Sequence, residues 1–227
     1  MKKLHLLSIS ILAVSLFLYS CNGEGPKKTD TVPEEKDELE IKNLEDFAQF
    51  ECHEDLEKYF GVENVDSTVY YEAEGTEQFL VSIVNPDSKN KVIVYWKQKS
   101  GEWSDFETAE AVYSSYDSEW EITSEEGDIY SIECGLHCGS SLEDFEKENE
   151  APFGFYGFGW DFGGYVCDLR EKFDNYIFVV GCPEMDTAEE LSEEYSNLLG
   201  DIKFSSDDQA AKLCDIRIVS IKYLGED

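Results

Sequence analysis

Apolar positions follow two different periods along this chain. Leu44, Phe47, Cys52, Leu56 and Tyr59 recur at helical spacing and Gly61 stands just beyond them, which predicts a first helix over Leu44–Tyr59. The period then shortens to two. Ser67–Glu74, Gln78–Asn85 and Lys91–Gln98 read as strands, with Asn85-Pro86-Asp87-Ser88 as the turn between the last two. Glu107–Tyr113 fits either period, and Glu119–Ser124 and Asp128–Glu133 read as short strands. Ser140 or Ser141 can cap a second helix over Gly139–Asn149 that turns Leu142 and Phe145 inward. Thr187–Leu199 reads as a third helix, with Leu191, Tyr195 and Leu198 on one stripe and Gly200 as its stop, and Ile216–Tyr223 as a closing strand. About three helices among runs of strands predict an α+β fold with a mostly antiparallel sheet. The order helix-then-strands begins near residue 44 and again near residue 139. Two similar subdomains, 40–125 and 126–227, are therefore an alternative to one α+β domain over 40–227.

Ahead of these elements the pattern changes. Met1-Lys2-Lys3-Leu4-His5 is basic, and Leu6 to Tyr19 is an uncharged apolar run shorter than a membrane span, as in a secretory signal over residues 1–20. Leu18-Tyr19-Ser20-Cys21 resembles the lipobox of bacterial lipoproteins, whose Cys carries lipid and becomes the first mature residue; Tyr19 departs from the small residue usual there. The resemblance implies lipid on Cys21 as the membrane contact. Residues 21–39, rich in Gly, Pro, Thr, Lys and Glu without apolar periodicity, read as a flexible acidic tether. Asn22 resembles outer-membrane sorting because it is not the retention Asp of the enterobacterial rule. The expected location is the bacterial cell envelope, on its outer membrane.

Charge narrows the partners. With 51 acidic against 18 basic residues the formal charge is −33, and loss of Lys2 and Lys3 with the leader deepens it to −35. Such a surface repels nucleic acid, which is excluded as a partner, and leaves an envelope protein or a small ligand. Acidic chains can be disordered, but 41% hydrophobic and 14% aromatic residues predict a folded body. If Cys21 is acylated, six cysteines remain, and an even number in an exported chain suggests disulfides. One pair follows from a hairpin reading. Val166–Phe173 and Tyr176–Cys182 flank Asp174-Asn175, and in that register Cys167 faces Cys182 while the apolar side chains share a face. Cys167–Cys182 is the expected bridge. Cys52, Cys134, Cys138 and Cys214 are left unassigned.

The densest local signal is Pro152-Phe153-Gly154-Phe155-Tyr156-Gly157-Phe158-Gly159-Trp160-Asp161-Phe162-Gly163-Gly164. Glycines here suit close backbone approach, and Phe153, Phe155, Phe158, Trp160 and Phe162 form an expected core layer. The sharper alternative makes Tyr156 and Trp160 the floor of a binding cleft anchored by Asp161. The segment Gly139–Glu143 through Asn149, Pro152-Phe153, Gly157-Phe158-Gly159-Trp160-Asp161 and Gly163-Gly164 resembles a family of bacterial exported proteins and lipoproteins. Tyr59-Phe60-Gly61, Asn64-Val65, the run Val92–Trp96, Gly200-Asp201 and Phe204-Ser205-Ser206 extend the likeness over most of 55–223. That family has no established activity, so the resemblance implies neither catalytic residues nor a cofactor.

Other chemistries fare worse. Cys134-Gly135-Leu136-His137-Cys138 with Cys52-His53 contains zinc-type ligands, but at a non-standard spacing and in an oxidising compartment. His53 and His137 are the only mature histidines, and spacing places no Ser beside either. The Gly spacing is not that of a nucleotide loop, and Asp207-Asp208 and Glu125-Glu126-Gly127-Asp128 read as solvated turns without the calcium-loop pattern. No metal and no cofactor are expected. The leading expectation is a membrane-anchored envelope lipoprotein that binds or buttresses and is not an enzyme. One alternative is an envelope hydrolase pairing Asp161 with Asp168 or Glu171 in an aromatic cleft. Another is an acidic, inhibitor-like module for a basic partner protein.

Overall fold

The computed structural model describes residues 39–72, 77–97, 103–113, 128–186 and 191–225. Cys21, all but the end of the tether, and the expected strand Glu119–Ser124 lie outside them. Leu39–Asp227 forms one compact unit. Its larger sheet comprises β1 (Val65–Glu72), β2 (Glu77–Val84), β3 (Asn90–Trp96), β4 (Phe106–Tyr113), β7 (Tyr176–Gly181) and β9 (Arg217–Tyr223), in the antiparallel order β1-β2-β3-β4-β9-β7. A smaller antiparallel sheet is built from β5 (Gly154–Tyr156), β6 (Val166–Cys167) and β8 (Lys203–Ser205), in the order β6-β5-β8. With α1 (His53–Phe60), α2 (Leu142–Asn149), α3 (Pro183–Asp186), α4 (Glu193–Ser196) and α5 (Gln209–Leu213), the fold is α+β with mostly antiparallel sheet. The larger sheet draws strands from both halves of the chain.

The first three strands form close to where alternation placed them, and Glu107–Tyr113, which fitted either period, resolves as β4; each pairs with its sequence neighbour. Asn85 takes φ +53° and accepts from the Ser88 amide, making the expected turn. Leu80, Val84, Val92, Val94, Trp96, Ala109 and Ala111 line the inner face and join one core with Phe145, Phe178 and Ile221. Opposite, Val81, Ile93 and Tyr95 form a smaller buried cluster. Beside it Glu110 takes hydrogen bonds from the hydroxyls of Tyr95 and Ser220 and pairs with Lys222 at 3.3 Å.

Several expectations are corrected. The first helix is broken: Leu44–Gln49 is a 3-10 helix and α1 starts at His53. Between them Glu51 accepts from the Asp105 amide and His53 donates its backbone N–H to Trp103, so 50–52 is recruited as extended chain by 103–105. Asp128–Glu133 is no strand; Ser131 makes only isolated bridges, to Asn43 and His137. Of Thr187–Leu199, residues 187–190 lie outside the described set, and α4 is one turn capped by Ser192. Leu198 is fully buried but Leu191 is exposed, so the proposed stripe does not form.

The Cys167 hairpin is also absent. Asp168 at φ +62° ends β6 after two residues, and Glu171–Phe173 winds into a 3-10 turn. Cys167 lies opposite Gly154, while β7 pairs with β9. The register that set Cys167 against Cys182 is not formed.

Candidate functional site

Alternation within the smaller sheet creates two unlike faces. Phe155, Val166 and Phe204 are cross-strand partners on the inner face, and the Phe155 ring stacks on Phe158 and Phe204 at 5.8 and 6.0 Å. The opposite face carries Gly154, Tyr156, Cys167, Lys203 and Ser205. There Lys203 is paired with the Asp168 carboxylate. Burial pushes the Cys167 thiol upward, with the Lys203 ammonium pulling the other way.

The glycine-rich loop leaves this sheet under backbone constraint at both ends. At Gly157 a Cβ would lie 2.5 Å from the Gly200 carbonyl oxygen, so the chain packs directly on the 198–202 segment. At Gly164, with φ +80°, a Cβ would lie 2.0 Å from the Val180 carbonyl oxygen of β7. Between these anchors Phe158 turns inward, and residues 160–162 are pushed to the surface. Trp160 donates its indole N–H to the Gly157 carbonyl at 2.7 Å, and the Gly163 amide donates to the Trp160 carbonyl at 2.9 Å.

The result is a run of four rings in edge-to-face contact. Tyr156 meets Trp160 at 5.9 Å and 82°, Trp160 meets Phe162 at 5.4 Å and 72°, and Phe162 meets Tyr165 at 5.9 Å and 76°. Phe162 is 56% exposed, Tyr165 40% and Tyr156 36%; Trp160 is half-buried. Exposed Leu199 approaches the loop at Gly159, where a Cβ would lie 3.6 Å from its Cδ2, and exposed Ile202 is tied to the loop through its carbonyl, which accepts from the Gly157 amide. Asp161 and Asp201 are exposed carboxylates on the two segments that carry these side chains. Exposed rings held together on so acidic a chain are the kind of surface used for association.

Tyr156 and Trp160 are thus brought together, and Asp161 stands beside them in solvent. Phe162, expected in the core layer, is on the surface, while Phe153, Phe155 and Phe158 are buried. Tyr165, Leu199 and Ile202 were missed by sequence reasoning. Tyr165 follows Gly164 directly and accepts from the Tyr156 amide through its carbonyl, whereas Leu199 and Ile202 arrive through pairing of β5 and Phe158 with residues beyond 198, which has no local signature. Of the proposed hydrolytic carboxylates, Asp168 is held by Lys203, and Glu171 lies exposed in the 3-10 turn.

Sequence spacing placed no Ser beside a histidine, yet the fold does. His53 Nδ1 lies 2.8 Å from the Ser82 hydroxyl, which accepts from the Trp96 indole at 2.9 Å, and His53 Nε2 lies 3.4 Å from Glu57. Ser82 is 0% exposed, whereas a nucleophile must meet its substrate. This chain of polar contacts ties α1 to β2 and β3. The zinc-type residues are engaged separately: Cys138 donates to the Ala111 carbonyl at 3.3 Å with its thiol pushed up to about 12 by burial, His137 Nδ1 is 2.7 Å from the Cys138 carbonyl, and Cys134 is exposed. Among the described residues no three His, Cys, Asp or Glu side chains gather as a metal site. No described helix is long and apolar enough to cross a membrane. No family model, curated protein or solved structure matches this chain.

Proposed function

We propose that this chain is a bacterial envelope lipoprotein, tethered to the outer membrane through lipid on Cys21, and that its folded body is a binding module. The observation that carries the reading is the exposed run Tyr156–Trp160–Phe162–Tyr165, held at the surface by backbone contacts at Gly157 and Gly164. Folding gains more from burying such rings than from exposing them, so a surface that keeps four together suits use in association. The leader and the acidic tether support the address: the lipid supplies the anchor and the tether lets the body reach a neighbour.

Two measurements test this. Cys21→Ser should move the protein from the membrane to the soluble fraction with its unfolding midpoint unchanged; retention on the membrane would overturn the anchor. A photo-crosslinking residue at position 162 should yield one adduct of discrete size in intact cells, and the same residue at exposed Tyr71, in β1 on the other sheet, should not. Equal labelling from both positions, or none from 162, would overturn the binding face. Reproducible substrate turnover lost on Asp161→Asn would replace the reading with an enzymatic one.

A further inference from the structure

We propose that the aromatic face takes a cationic protein segment, seating Arg or Lys side chains of the partner against its rings with Asp161 and Asp201 beside them. The inference rests on the reading of this surface as a binding face and names what it binds. Charge is the first argument. A chain with a formal charge of −33 repels phosphates, anionic glycans and anionic membranes, and attracts positive segments from beyond contact range. The local balance has the same sign. Asp161 lies between Trp160 and Phe162, Asp201 lies between Leu199 and Ile202, and the cation opposite Tyr156, Lys203, is already paired with Asp168.

Ring geometry is the second argument. Successive rings turn by 82°, 72° and 76°, so faces and edges alternate along the run. Ring faces are electron-rich and attract a guanidinium or ammonium, whose methylene stem covers neighbouring apolar surface. The chain itself contains a site of this design. Lys222 Nζ lies 4.4 Å from the Tyr95 ring centroid and 3.3 Å from the Glu110 carboxylate, a cation held by ring and acid together. The aromatic face offers rings and acids of the same kinds to a cation from outside.

The test is isothermal titration of the full lipidated chain in detergent with three peptides of one length and spacing, carrying Arg, Lys or Gln at the same positions among leucines. The Arg peptide should bind and the Gln peptide should not. Trp160→Ala/Phe162→Ala should weaken the Arg peptide about tenfold, equivalent to ~1.4 kcal/mol, with net charge unchanged. Asp161→Asn/Asp201→Asn should weaken it less and flatten its salt dependence. Tyr71→Ala, an exposed ring elsewhere, should change nothing. Phe162→Ala alone, at a largely exposed position, keeps the test decisive should the double variant unfold. Arg and Gln peptides binding alike, or the Arg peptide binding the ring variants as tightly as wild type, would overturn the inference. If position 162 still yields its cellular adduct in that case, the binding face stands and only its cationic ligand is wrong; if the adduct is missing too, both fall.

Discussion

Two aromatic clusters within forty residues of one another meet opposite fates. Phe145 of α2 packs its ring 4.4 Å from Phe153, 4.6 Å from Phe178 and 5.6 Å from Phe173, and all four are buried between helix and sheet. Tyr156, Trp160, Phe162 and Tyr165 touch at comparable distances and face solvent. The buried four are all Phe and three of the exposed four carry a polar N–H or O–H, but Phe162 is as apolar as Phe145, so residue type alone does not separate the groups; anchoring differs as well. Phe145 sits on a capped helix and Phe178 on β7, at the edge of the larger sheet, whereas Trp160 and Phe162 sit on a loop held from behind by Gly157 and Gly164, with Tyr156 at the end of β5.

Removing the buried ring should break the comparison most forcefully. Phe145 is fully buried, so Phe145→Ala should cost about 3–5 kcal/mol, read from urea unfolding, as lost transfer energy and an unfilled cavity add. Gly164→Ala comes next. It places a Cβ 2.0 Å from the Val180 carbonyl oxygen at φ +80°, and the strain should cost about 1–3 kcal/mol. Because Gly164 ties the loop to β7, that variant should also raise amide exchange of the Val180 N–H, which donates to the Gly164 carbonyl at 2.9 Å.

How much of this contrast the sequence displays depends on how far apart the partners lie. Strands β1 to β3 pair with their neighbours in order, so alternation and the Asn85 turn suffice to place them, while β4, whose pattern fits either period, is decided by its pairing with β3 and β9. The capped helix α2 is legible for the same reason: its signals lie within four residues. The Cys167 hairpin misleads because alternation reports a face and not a partner. Val166 and Cys167 pair with β5, and Tyr176–Gly181 pairs with β9, from opposite directions along the chain. The site shows the same limit. Glycines among aromatics flag Tyr156, Trp160 and Asp161, but only the pairing of β5 with β8 brings Leu199 and Ile202 alongside.

The helix cap offers a smaller and pH-dependent test. Ser141 accepts from the Asp144 amide at 3.1 Å and donates to the Asp144 carboxylate at 2.7 Å, closing the first turn of the helix that carries Phe145. The Ser141 hydrogen bonds hold the Asp144 carboxyl below its ordinary value of 3.8. A carboxylate depressed in the folded state stabilises above its unfolded pKa, and that contribution is lost as pH falls through the folded value. Ser141→Ala should therefore cost about 1 kcal/mol near neutral pH. Its difference from wild type should shrink as the pH drops below 3.8 in acid unfolding curves.

The smallest effect on stability is expected at Phe162, and it bears most directly on function. Phe162→Ala makes the same chemical change as Phe145→Ala but leaves no cavity, because more than half of the ring already faces water. What it loses is two edge-to-face contacts, with Trp160 and Tyr165, at the surface. Urea unfolding should register less than about 1 kcal/mol, while the cellular adduct formed from a probe moved to the neighbouring Tyr165 should fall sharply. A stability loss near that of Phe145→Ala would show that the exposed run is packing after all. A small loss with the adduct intact would show that the ring is spent on neither folding nor association. Only a small loss in stability together with a large loss in binding is what a surface kept for a partner requires.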